Sequence, residues 1–543
     1  MMIGLDFDNT IACYDGVFSS EAKIKGLVQN EWKGTKQDLK LLLNALNDGE
    51  IIWQAMQGKV YGPSMHKATL FPGVARFLLR CKLQSHKVFI VSHKTKYGHF
   101  DKTKTLLRKA SLDWMDSKGF FEDSRFGISR KNIFFANTQK EKIEKIKSLN
   151  LDIFVDDLEE IFLDHDFPKI KKILFSNSSS NEHHVELCNN WTDIENTSIG
   201  EITNDEIKHL INSIYECPIY DLEKIEGRGN SRIYKVSIDE KNSLVLKEYP
   251  DLLIDPRTRL ITEVNALKLV EVLHKTPKVI AFDELQNIAL YEWIEGENLS
   301  KIEDNYIIQA LDFIESLQNL RGKNSWCLAS EACLSAKQLF TQINYRFDRL
   351  SKVKNKDLHD FLVFTFKPLF SKVWARSEQN WPSDNLEQDL PKSMQVFNPS
   401  DFGFHNAILK DDGELKFLDF EYFGRDDPVK LIADFIWHPG MKLKNLQKID
   451  WLKGAISIFD SDPELVLRFK SAWPMYGLRW SLILLNEFVN EGWQKRVYAN
   501  VNLKYQYENR LIGQLNKAKL ICEQVQETNM ECPYMNDPDE QNI

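Results

Sequence analysis

The sequence predicts two domains, an α/β domain on a parallel sheet and then a two-lobed α+β domain whose second lobe is large and helical. Over the first 195 residues, short apolar segments alternate with helical stretches, which is typical of a parallel sheet buried on both faces. Antiparallel strand patterns begin near residue 220, and helical patterns dominate from residue 302 onward. A chain of 543 residues is long enough for separate cores.

The predicted strands of the first domain end in polar residues. The strands are 3–7, 87–92, 151–155 and 170–175. Parallel sheets of this kind bind their ligands at the carboxyl ends of the strands. The candidate site residues at those ends are Asp6, Asp8, Ser92, Asp156 and Asp157.

Residues 14–68 interrupt the strand pattern of the first domain. The spacing of the leucines in this stretch is that of an amphipathic helix; they are Leu39, Leu42, Leu43 and Leu46. We therefore expect a mostly helical cap over the strand ends. The first domain is predicted to end at residue 195, and residues 196–218 are predicted to be a linking helix.

The second domain, predicted over residues 219–525, opens with strands. The predicted strands are 220–226, 232–238, 243–249, 278–282 and 288–293, with a helix over 258–273 after the third of them. Helices are expected from residue 302 onward, except around 393–423. The polar residues 526–543 are predicted to form a frayed tail.

Composition argues against several functional classes. A net charge of -9 argues against a nucleic-acid-binding surface as the main function. The eight cysteines are scattered, which favours reduced thiols over a disulfide framework or a zinc site. Because no signal peptide or membrane-spanning stretch is visible, we expect a cytoplasmic protein without a membrane partner. The oligomeric state stays open.

The polar residues of the first domain suit phosphoryl chemistry. A carboxylate such as Asp6 can attack a phosphoryl group, but the repulsion between two anions calls for a metal. A second carboxylate such as Asp8 can exchange a proton with the leaving oxygen. A serine hydroxyl and a lysine amine can bind phosphate oxygens, and oxygen ligands such as Asp156 and Asp157 suit Mg²⁺.

The run Leu5-Asp6-Phe7-Asp8-Asn9-Thr10 resembles the first motif of the haloacid-dehalogenase-like phosphatase superfamily, and the resemblance covers residues 1–195. It implies an α/β Rossmann-like fold with a helical cap that selects a phosphorylated small-molecule substrate. It also implies that Asp6 is the nucleophile and Asp8 the general acid/base.

The same resemblance implies roles for the other residues. Thr10, Ser92 and a lysine would bind phosphate, and for the lysine we favour Lys140 over Lys142 because Lys140 opens the helix before the strand at 151–155. The implied Mg²⁺ ligands are Asp6, Asp8, Asp156 and Asp157.

A second set of candidate residues lies in the predicted second domain. Gly227 and Gly229, between two strands, would let backbone N–H groups approach phosphates. Lys247 follows an apolar strand, and Glu263 on the next helix could pair with it. Further along, Asp401 and Asn406 lie five residues apart in a loop, and Asp419 follows another strand.

This second set resembles the aminoglycoside-phosphotransferase and choline-kinase group of protein-kinase-like enzymes over residues 220–500. The resemblance is carried by Leu418-Asp419-Phe420-Glu421-Tyr422 and Asp427-Pro428. It implies ATP as phosphoryl donor, a hydroxylated small-molecule acceptor and Mg²⁺. The resemblance implies that Asp401 is the catalytic base and that Asn406 and Asp419 are Mg²⁺ ligands. It implies that Gly227, Gly229 and Lys247 bind phosphate and that Glu263 pairs with this lysine. Glu292 and Ile294 would contact the adenine.

One residue departs from the pattern of this group. The histidine expected two residues before the catalytic aspartate is Pro399, followed by Ser400 and Asp401. This departure weakens any transfer of turnover or substrate class. The aromatic residues Trp437, Trp473, Tyr476, Trp480 and Trp493 suit either the core or a pocket that holds a quaternary ammonium group.

The leading hypothesis is a bifunctional enzyme, a Mg²⁺-dependent phosphatase joined to an ATP-dependent small-molecule kinase. Sugar or surface-polysaccharide precursor metabolism is compatible with it. One alternative is processing of nucleic-acid ends, against which stand the acidic balance and the absence of a Gly-x-x-x-x-Gly-Lys-Ser/Thr motif. Another is a phosphatase whose kinase-like half only binds a ligand.

Overall fold

A computed structural model describes residues 1–30, 32, 34–100, 103–176, 184–225, 229–499 and 506–535. The chain divides into two compact units, Met1–Leu210 (unit one) and Ile211–Ile543 (unit two). The division falls within a helix, Asn204–Ile214, where the sequence predicts a linking helix. All eight cysteines lie among the described residues and are free thiols.

Unit one is built on a six-stranded parallel sheet with the order β5-β4-β1-β6-β7-β8. Its strands, together with the short antiparallel pair β2 and β3, are Met2–Leu5 (β1), Ala12–Cys13 (β2), Thr69–Leu70 (β3), Lys87–His93 (β4), Ile133–Ala136 (β5), Ile153–Asp156 (β6), Lys171–Phe175 (β7) and Glu186–Cys188 (β8). The sequence predicts the four apolar strands but not β5 or β8.

Helices cover both faces of this sheet. They are Asp15–Ile24 (α1), Lys36–Asn44 (α2), Gly49–Tyr61 (α3), Val74–Leu83 (α4), Leu107–Ser117 (α5), Gln139–Ser148 (α6), Glu159–Leu163 (α7), Trp191–Ser198 (α8) and Asn204–Ile214 (α9). Successive strand residues face opposite sides: Phe154 packs in one apolar cluster and Val155 in the other. The continuous apolar strands are thus explained by burial on both faces.

The insertion at 14–68 is helical, formed by α1, α2 and α3, and β2 and β3 pair across its base. The predicted leucine stripe is half correct. Leu39 and Leu43 are fully buried, whereas Leu42 and Leu46 are exposed. Leu46 is exposed because α2 ends at Asn44, whereas Leu42 lies within the helix and off the buried side that Leu39 and Leu43 define.

Unit two opens with a five-stranded antiparallel sheet of order β12-β13-β11-β10-β9, and its two small sheets are β14-β16-β17 and β15-β18. The strands are Asp221–Ile225 (β9), Arg232–Ser237 (β10), Ser243–Glu248 (β11), Val279–Asp283 (β12), Ile288–Glu292 (β13), Glu297–Asn298 (β14), Val396–Asn398 (β15), Ala407–Leu409 (β16), Leu415–Phe417 (β17) and Gly424–Asp426 (β18). The five strands of the larger sheet lie where the sequence predicts them.

The remainder of unit two is mostly helical. Its helices are Arg259–Val270 (α10), Asp304–Gln318 (α11), Ala336–Ser351 (α12), Lys356–Asp360 (α13), Lys367–Asn380 (α14), Pro428–Trp437 (α15), Asn445–Ile458 (α16), Leu465–Leu484 (α17), Asn490–Ala499 (α18) and Tyr507–Glu527 (α19). Among the described helices of the chain, none combines the length and the apolar character needed to cross a membrane.

The predicted tail at 526–543 is wrong in its first ten residues. Cys532 is buried, and Tyr534 packs on the same apolar core with its ring 5.9 Å from that of Trp473. Apolar side chains in this polar segment explain why it returns to the core. The description ends at residue 535.

Candidate active sites

Three carboxylates meet at the carboxyl end of the sheet in unit one. Asp6 follows β1, Asp156 ends the neighbouring strand β6, and Asp157 comes next. The parallel pairing holds the two strand ends together, and the Asp6 N–H donates to the Val155 carbonyl at 2.9 Å. Ligand oxygens of the three carboxylates lie within 4.8 Å of one another.

A buried lysine joins two of these carboxylates. Lys142 Nζ lies 2.5 Å from Asp6 Oδ1 and 2.6 Å from Asp156 Oδ2. Lys140, the lysine favoured from the sequence, is exposed on the same helix, α6. Positions two apart on a helix differ by about 200° in direction, so Lys140 and Lys142 cannot both face the strand ends. The prediction of Lys140 is therefore replaced by its alternative, Lys142.

Asp8 is not part of the three-carboxylate group and has different partners. The Tyr14 hydroxyl donates to Asp8 Oδ1 at 2.5 Å, and Lys94 Nζ lies 2.7 and 2.8 Å from its two oxygens. That Asp8 shares a metal with the other carboxylates stays a prediction, since its oxygens are not part of the three-carboxylate group. Sequence reasoning missed both partners, although Lys94 follows the end of β4 and was open to the same strand-end argument.

Ser92 and Thr10 lie at the same end of the sheet. Ile90 on β4 pairs with Leu5, the last residue of β1. Ser92 follows Ile90 by two residues on β4 and so lies just beyond the end of β1. Ser92 is buried, and its Oγ has no hydrogen-bond partner within the described part of the chain. Thr10 is fully buried, and its hydroxyl makes one long hydrogen bond, 3.5 Å, to Asp157 Oδ1. An unpartnered buried hydroxyl is available to a ligand oxygen.

Crowding of carboxylates dominates the electrostatics of this site. Burial raises the pKa of Asp157 to about 7, with a further contribution from Asp156. Burial likewise raises the pKa of Asp6 well above its usual value, against the opposing effect of Lys142. A site with this excess of negative charge and only oxygen donors fits Mg²⁺.

A buried lysine is also the centre of the candidate site in unit two. Lys247 on β11 lies 2.6 Å from Glu263 Oε2 on α10, as the sequence predicts for this pair. Its Nζ is also 2.7 Å from Asp419 Oδ1 and 3.2 Å from Glu421 Oε2. Glu421 belongs to the motif around Asp419, but no role was predicted for it.

The loop after β15 and the hairpin of β16 and β17 position the other residues. Asn406 Nδ2 donates to the Asp401 carbonyl at 3.0 Å, and the Leu418 N–H donates to the Asn406 carbonyl at 2.8 Å. The amide oxygen of Asn406 stays available as a metal ligand. Asp419 has a φ of 67° and Ser400 a φ of 69°, left-handed conformations that non-glycine residues adopt at a cost of about 1–2 kcal/mol.

Two histidines contact Asp401. Its Oδ1 lies 3.1 Å from His405 Nε2 and 3.7 Å from His438 Nε2, and the two rings stack with centroids 3.7 Å apart. Although burial acts to raise the pKa of Asp401, the hydrogen bond and charge of His405 hold it below its usual value. Sequence reasoning missed both histidines. His405 is inside the Asp401 motif, but His438 gives no local signal.

The ring of His438 has a defined tautomer. The Gly440 N–H donates to His438 Nδ1 at 3.1 Å, so in the neutral ring the proton is on Nε2, the nitrogen near Asp401. Burial and the neighbouring His405 lower the pKa of His438 to about 3. His438 is therefore neutral near pH 7, and its Nε2 lies 3.7 Å from Asp401, beyond hydrogen-bond distance.

Carboxylates are crowded in unit two as well. Ligand oxygens of Glu263, Asp419 and Glu421 lie within 4.8 Å of one another. Burial raises the pKa of Asp419 to about 7, with a contribution from Glu421. With the amide oxygen of Asn406, these oxygen donors fit Mg²⁺.

Of the predicted nucleotide contacts, the structure describes the positions of Gly229, Glu292 and Ile294. Gly227 lies outside the described residues, and Gly229 is exposed before β10. Glu292 ends β13, and its carboxylate accepts from the Lys278 N–H at 3.1 Å. Ile294 is half-buried two residues later. The contacts of these residues with ATP stay predictions.

Most of the predicted aromatic set belongs to the core. Trp437, Trp473, Tyr476 and Trp480 are each less than 10% exposed. Trp480 Nε1 donates to Asp434 at 2.7 Å, and Trp493 packs on Tyr507. These contacts do not form a cage for a cation.

No protein-family model and no curated protein matches the sequence. Among solved structures, the chain is similar in part to the choline kinase LicA from Streptococcus pneumoniae, at 14% identity over 59% of this chain and 98% of that chain, with a TM-score of 0.39. It is similar to a choline/ethanolamine kinase family protein from Mesorhizobium loti, at 16% identity over 59% and 95%, with a TM-score of 0.41. A spectinomycin phosphotransferase in complex with ADP and spectinomycin matches at 13% identity over 59% and 98%, with a TM-score of 0.40.

Proposed function

We propose that unit two is an ATP-dependent, Mg²⁺-dependent kinase that phosphorylates a hydroxyl group of a small molecule. The observation that carries this proposal is the buried amine of Lys247, which lies within 2.7 Å of both Glu263 and Asp419. One charged group thereby connects the sheet, helix α10 and the segment after β17 at a single point. Phosphoryl transfer depends mainly on such positioning and charge stabilisation.

Each residue around this lysine would have its own role in phosphoryl transfer. Lys247 would bind phosphate oxygens of ATP, and Asn406 and Asp419 would hold Mg²⁺, which supplies neutralisation of the phosphate charge. The oxygen of the acceptor hydroxyl would attack the γ-phosphorus of ATP, and ADP would leave. Asp401 would accept the proton of that hydroxyl. The lowered pKa of Asp401 keeps it ionised but makes it a weak base, so it orients the acceptor hydroxyl and takes the proton only as the bond to phosphorus forms.

Binding of ATP tests this proposal directly. Calorimetry with MgATP should show binding to the wild-type protein, and Lys247→Met should weaken it about tenfold or more because a charge-assisted contact is lost. Lys372→Met, on the exposed side of α14, is the matched control and should bind like wild type. Absence of ATP binding, or equal binding by Lys247→Met, contradicts the proposal.

We propose a second activity, Mg²⁺-dependent hydrolysis of a phosphomonoester, for unit one. The observation that favours it is the convergence of Lys142, Asp6 and Asp156 at strand ends beside the unpartnered hydroxyl of Ser92. Asp6 would attack phosphorus to form an aspartyl-phosphate, which water then hydrolyses. Asp8 would give a proton to the leaving oxygen and take one from the water.

The other residues of this site would bind the phosphate and the metal. Lys142 and Ser92 would contact phosphate oxygens. Asp6, Asp156 and Asp157 would hold Mg²⁺, which supplies charge neutralisation between the two anions. The cap formed by α1–α3 contributes Tyr14 near Asp8, so this insertion borders the site.

Ser92 gives a sharp test of the phosphatase proposal. Wild-type protein should hydrolyse p-nitrophenyl phosphate with Mg²⁺ and lose this activity in chelator. Ser92→Ala should raise KM about tenfold at unchanged stability, because its hydroxyl makes no hydrogen bond to a described residue and only the ligand contact is lost.

Ser111→Ala is the control for that variant. Ser111 is equally buried, but its hydroxyl donates to the Leu107 carbonyl, so its loss should affect stability and leave KM unchanged. Absence of Mg²⁺-dependent hydrolysis in wild type, or an unchanged KM in Ser92→Ala, contradicts the proposal.

A further inference from the structure

A cavity of about 410 Å³ lies in unit two next to His438, a neighbour of the candidate base. Its volume is in the range of about 300–1,000 Å³ that is usual for small-molecule sites. His438 lines the cavity, and its Nε2 is 3.7 Å from Asp401 Oδ1. The cavity therefore comes within one side chain of the carboxylate that would take the proton from an acceptor.

One wall of the cavity is aromatic. Trp437, Trp473 and Tyr534 line it, with ring centroids 4.6 Å apart for the two tryptophans and 5.9 Å apart for Trp473 and Tyr534. Trp437 Nε1 is occupied, since it donates to the Trp473 carbonyl at 3.1 Å. Because Trp437 and Trp473 are each less than 10% exposed, the part of this wall that is open to a carbon chain is mainly Tyr534.

The charged residues of the cavity are mostly basic. Lys442, Lys448 and Lys517 line it, against a single lining carboxylate, Glu527, in the described part of the chain. Lys448 is held in place, since its Nζ donates to the Tyr534 hydroxyl at 2.9 Å and lies 4.9 Å from that ring centroid. An ammonium has three donor hydrogens, so Lys448 has further hydrogens for a ligand.

We propose that this cavity binds the acceptor of phosphoryl transfer, and that the acceptor is a hydroxylated anion, a carboxylate or a phosphate ester with a free hydroxyl group. This inference rests on the kinase function proposed above and narrows its substrate class. The lysines attract the anionic group, the aromatic wall contacts the carbon skeleton, and the hydroxyl lies at the end of the cavity lined by His438, whose Nε2 is 3.7 Å from Asp401. An aromatic wall alone would suit a cation, but three lysines repel one.

The reaction that follows is balanced without a further reactant. The acceptor oxygen forms a bond to the γ-phosphorus of ATP while the bond between that phosphorus and the β,γ-bridging oxygen breaks. The hydroxyl proton passes to Asp401. The products are ADP and an acceptor that carries one more phosphate.

Calorimetry in the presence of MgADP tests the charge preference of the cavity. The probes are D-glucuronate and glucose 6-phosphate as the two kinds of anion, glucose as the neutral compound and choline as the cation. At least one anion should bind about tenfold more tightly than glucose, because charge complementarity is present only for the anions. The two anion arms show whether carboxylate or phosphate is preferred.

Two lysine variants show whether the cavity is responsible. Lys448→Gln and Lys517→Gln should each weaken binding of the anion several-fold and leave glucose unchanged, while Lys448→Arg, which keeps the charge, should restore it. Lys372→Gln on α14 should bind like wild type. In turnover assays the same variants should raise KM for the anion and leave KM for ATP unchanged.

The inference is overturned if neither anion binds, if glucose or choline binds as tightly as the anions, or if both glutamine variants bind the anion like wild type. Failure of the kinase proposal is a separate result, because in that case the wild-type protein does not bind MgATP.

Discussion

Both candidate sites surround a buried lysine with carboxylates, but they build the arrangement from opposite elements. In unit one the lysine, Lys142, comes from a helix and its carboxylates from adjacent strands of one sheet. In unit two the lysine, Lys247, comes from a strand, and its carboxylates come from a helix and from the segment after β17. The first site therefore depends on strand pairing and the second on the packing of three separate elements.

This difference predicts how each site tolerates change. Strand ends that are held by ladder hydrogen bonds keep their carboxylates close even when the lysine is removed. Elements that meet only through packing and ion pairs lose their relative positions more readily. Replacement of Lys142 should therefore mainly lower the stability of unit one. Replacement of Lys247 should lower the stability of unit two and also shift its carboxylates relative to one another.

The largest expected effect comes from the lysine of unit one. Lys142→Met leaves Asp6 and Asp156 buried without their cation, and we expect a loss of about 3–5 kcal/mol in the free energy of unfolding without Mg²⁺. Lys140→Met, on the exposed side of α6, should change it by less than about 0.5 kcal/mol. Urea unfolding of both variants measures this, and equal losses would show that the assignment of Lys142 is wrong.

Mg²⁺ should stabilise both units, and more strongly at pH 8 than at pH 6. Asp157 and Asp419 both have a pKa raised to about 7. Without metal, the folded protein therefore binds these protons more tightly than the unfolded chain does. The stability that this proton binding contributes is lost as pH rises from about 4 to 7. Below pH 7 the metal must displace these protons, and above it the carboxylates are ready to bind. At a hundredfold excess over Kd, Mg²⁺ should add about 2.7 kcal/mol.

Thermal unfolding with Mg²⁺ and with chelator at the two pH values checks this expectation. Asp157→Asn should reduce the pH dependence of Mg²⁺ stabilisation in unit one, where the raised pKa of Asp6 still contributes, and Asp419→Asn should reduce it in unit two. A Mg²⁺ effect that is the same at pH 6 and pH 8, or larger at pH 6, would show that these carboxylates are not the ligands.

The smallest effect concerns the histidines of unit two, which have no counterpart beside Asp6. His405 Nε2 is 3.1 Å from Asp401 and His438 Nε2 is 3.7 Å away, so His405→Asn should lower kcat of the kinase more than His438→Asn does. We expect about tenfold for His405→Asn, with KM for ATP unchanged, because a hydrogen bond that orients the base is lost. A change confined to KM would argue against a role in orienting Asp401.

Much of the fold follows from local patterns in the sequence. The strands that bury most of their residues, such as β4 and β6, are predicted to within two residues because their apolar runs are continuous. The strand β8 was missed because only Cys188 of its three residues is buried, so it shows no such run. The strand β5 was missed although Ile133–Ala136 is an apolar run, since a run of four residues does not by itself distinguish a strand from a helix.

The site residues that were missed depend on contacts between distant parts of the chain. On α6, Ile143 and Ile146 mark the buried face, and at about 100° per residue Lys140 and Lys142 lie nearly symmetrically about it. The sequence pattern therefore cannot choose between the two lysines, and only the packing of α6 on the sheet does. His438 is 37 residues from Asp401 along the chain, and no spacing rule connects them.

The most direct test of the account is a cross-comparison of two variants in two assays. Asp6→Asn and Asp401→Asn proteins are each assayed for Mg²⁺-dependent hydrolysis of p-nitrophenyl phosphate and for MgATP-dependent phosphorylation of the acceptor panel. Asp6→Asn should lose hydrolysis by about a thousandfold or more and keep phosphorylation, and Asp401→Asn should lose phosphorylation by about 10²–10⁴ and keep hydrolysis. Loss of both activities in one variant, or full retention of both, would contradict two independent phosphoryl-transfer sites in this chain.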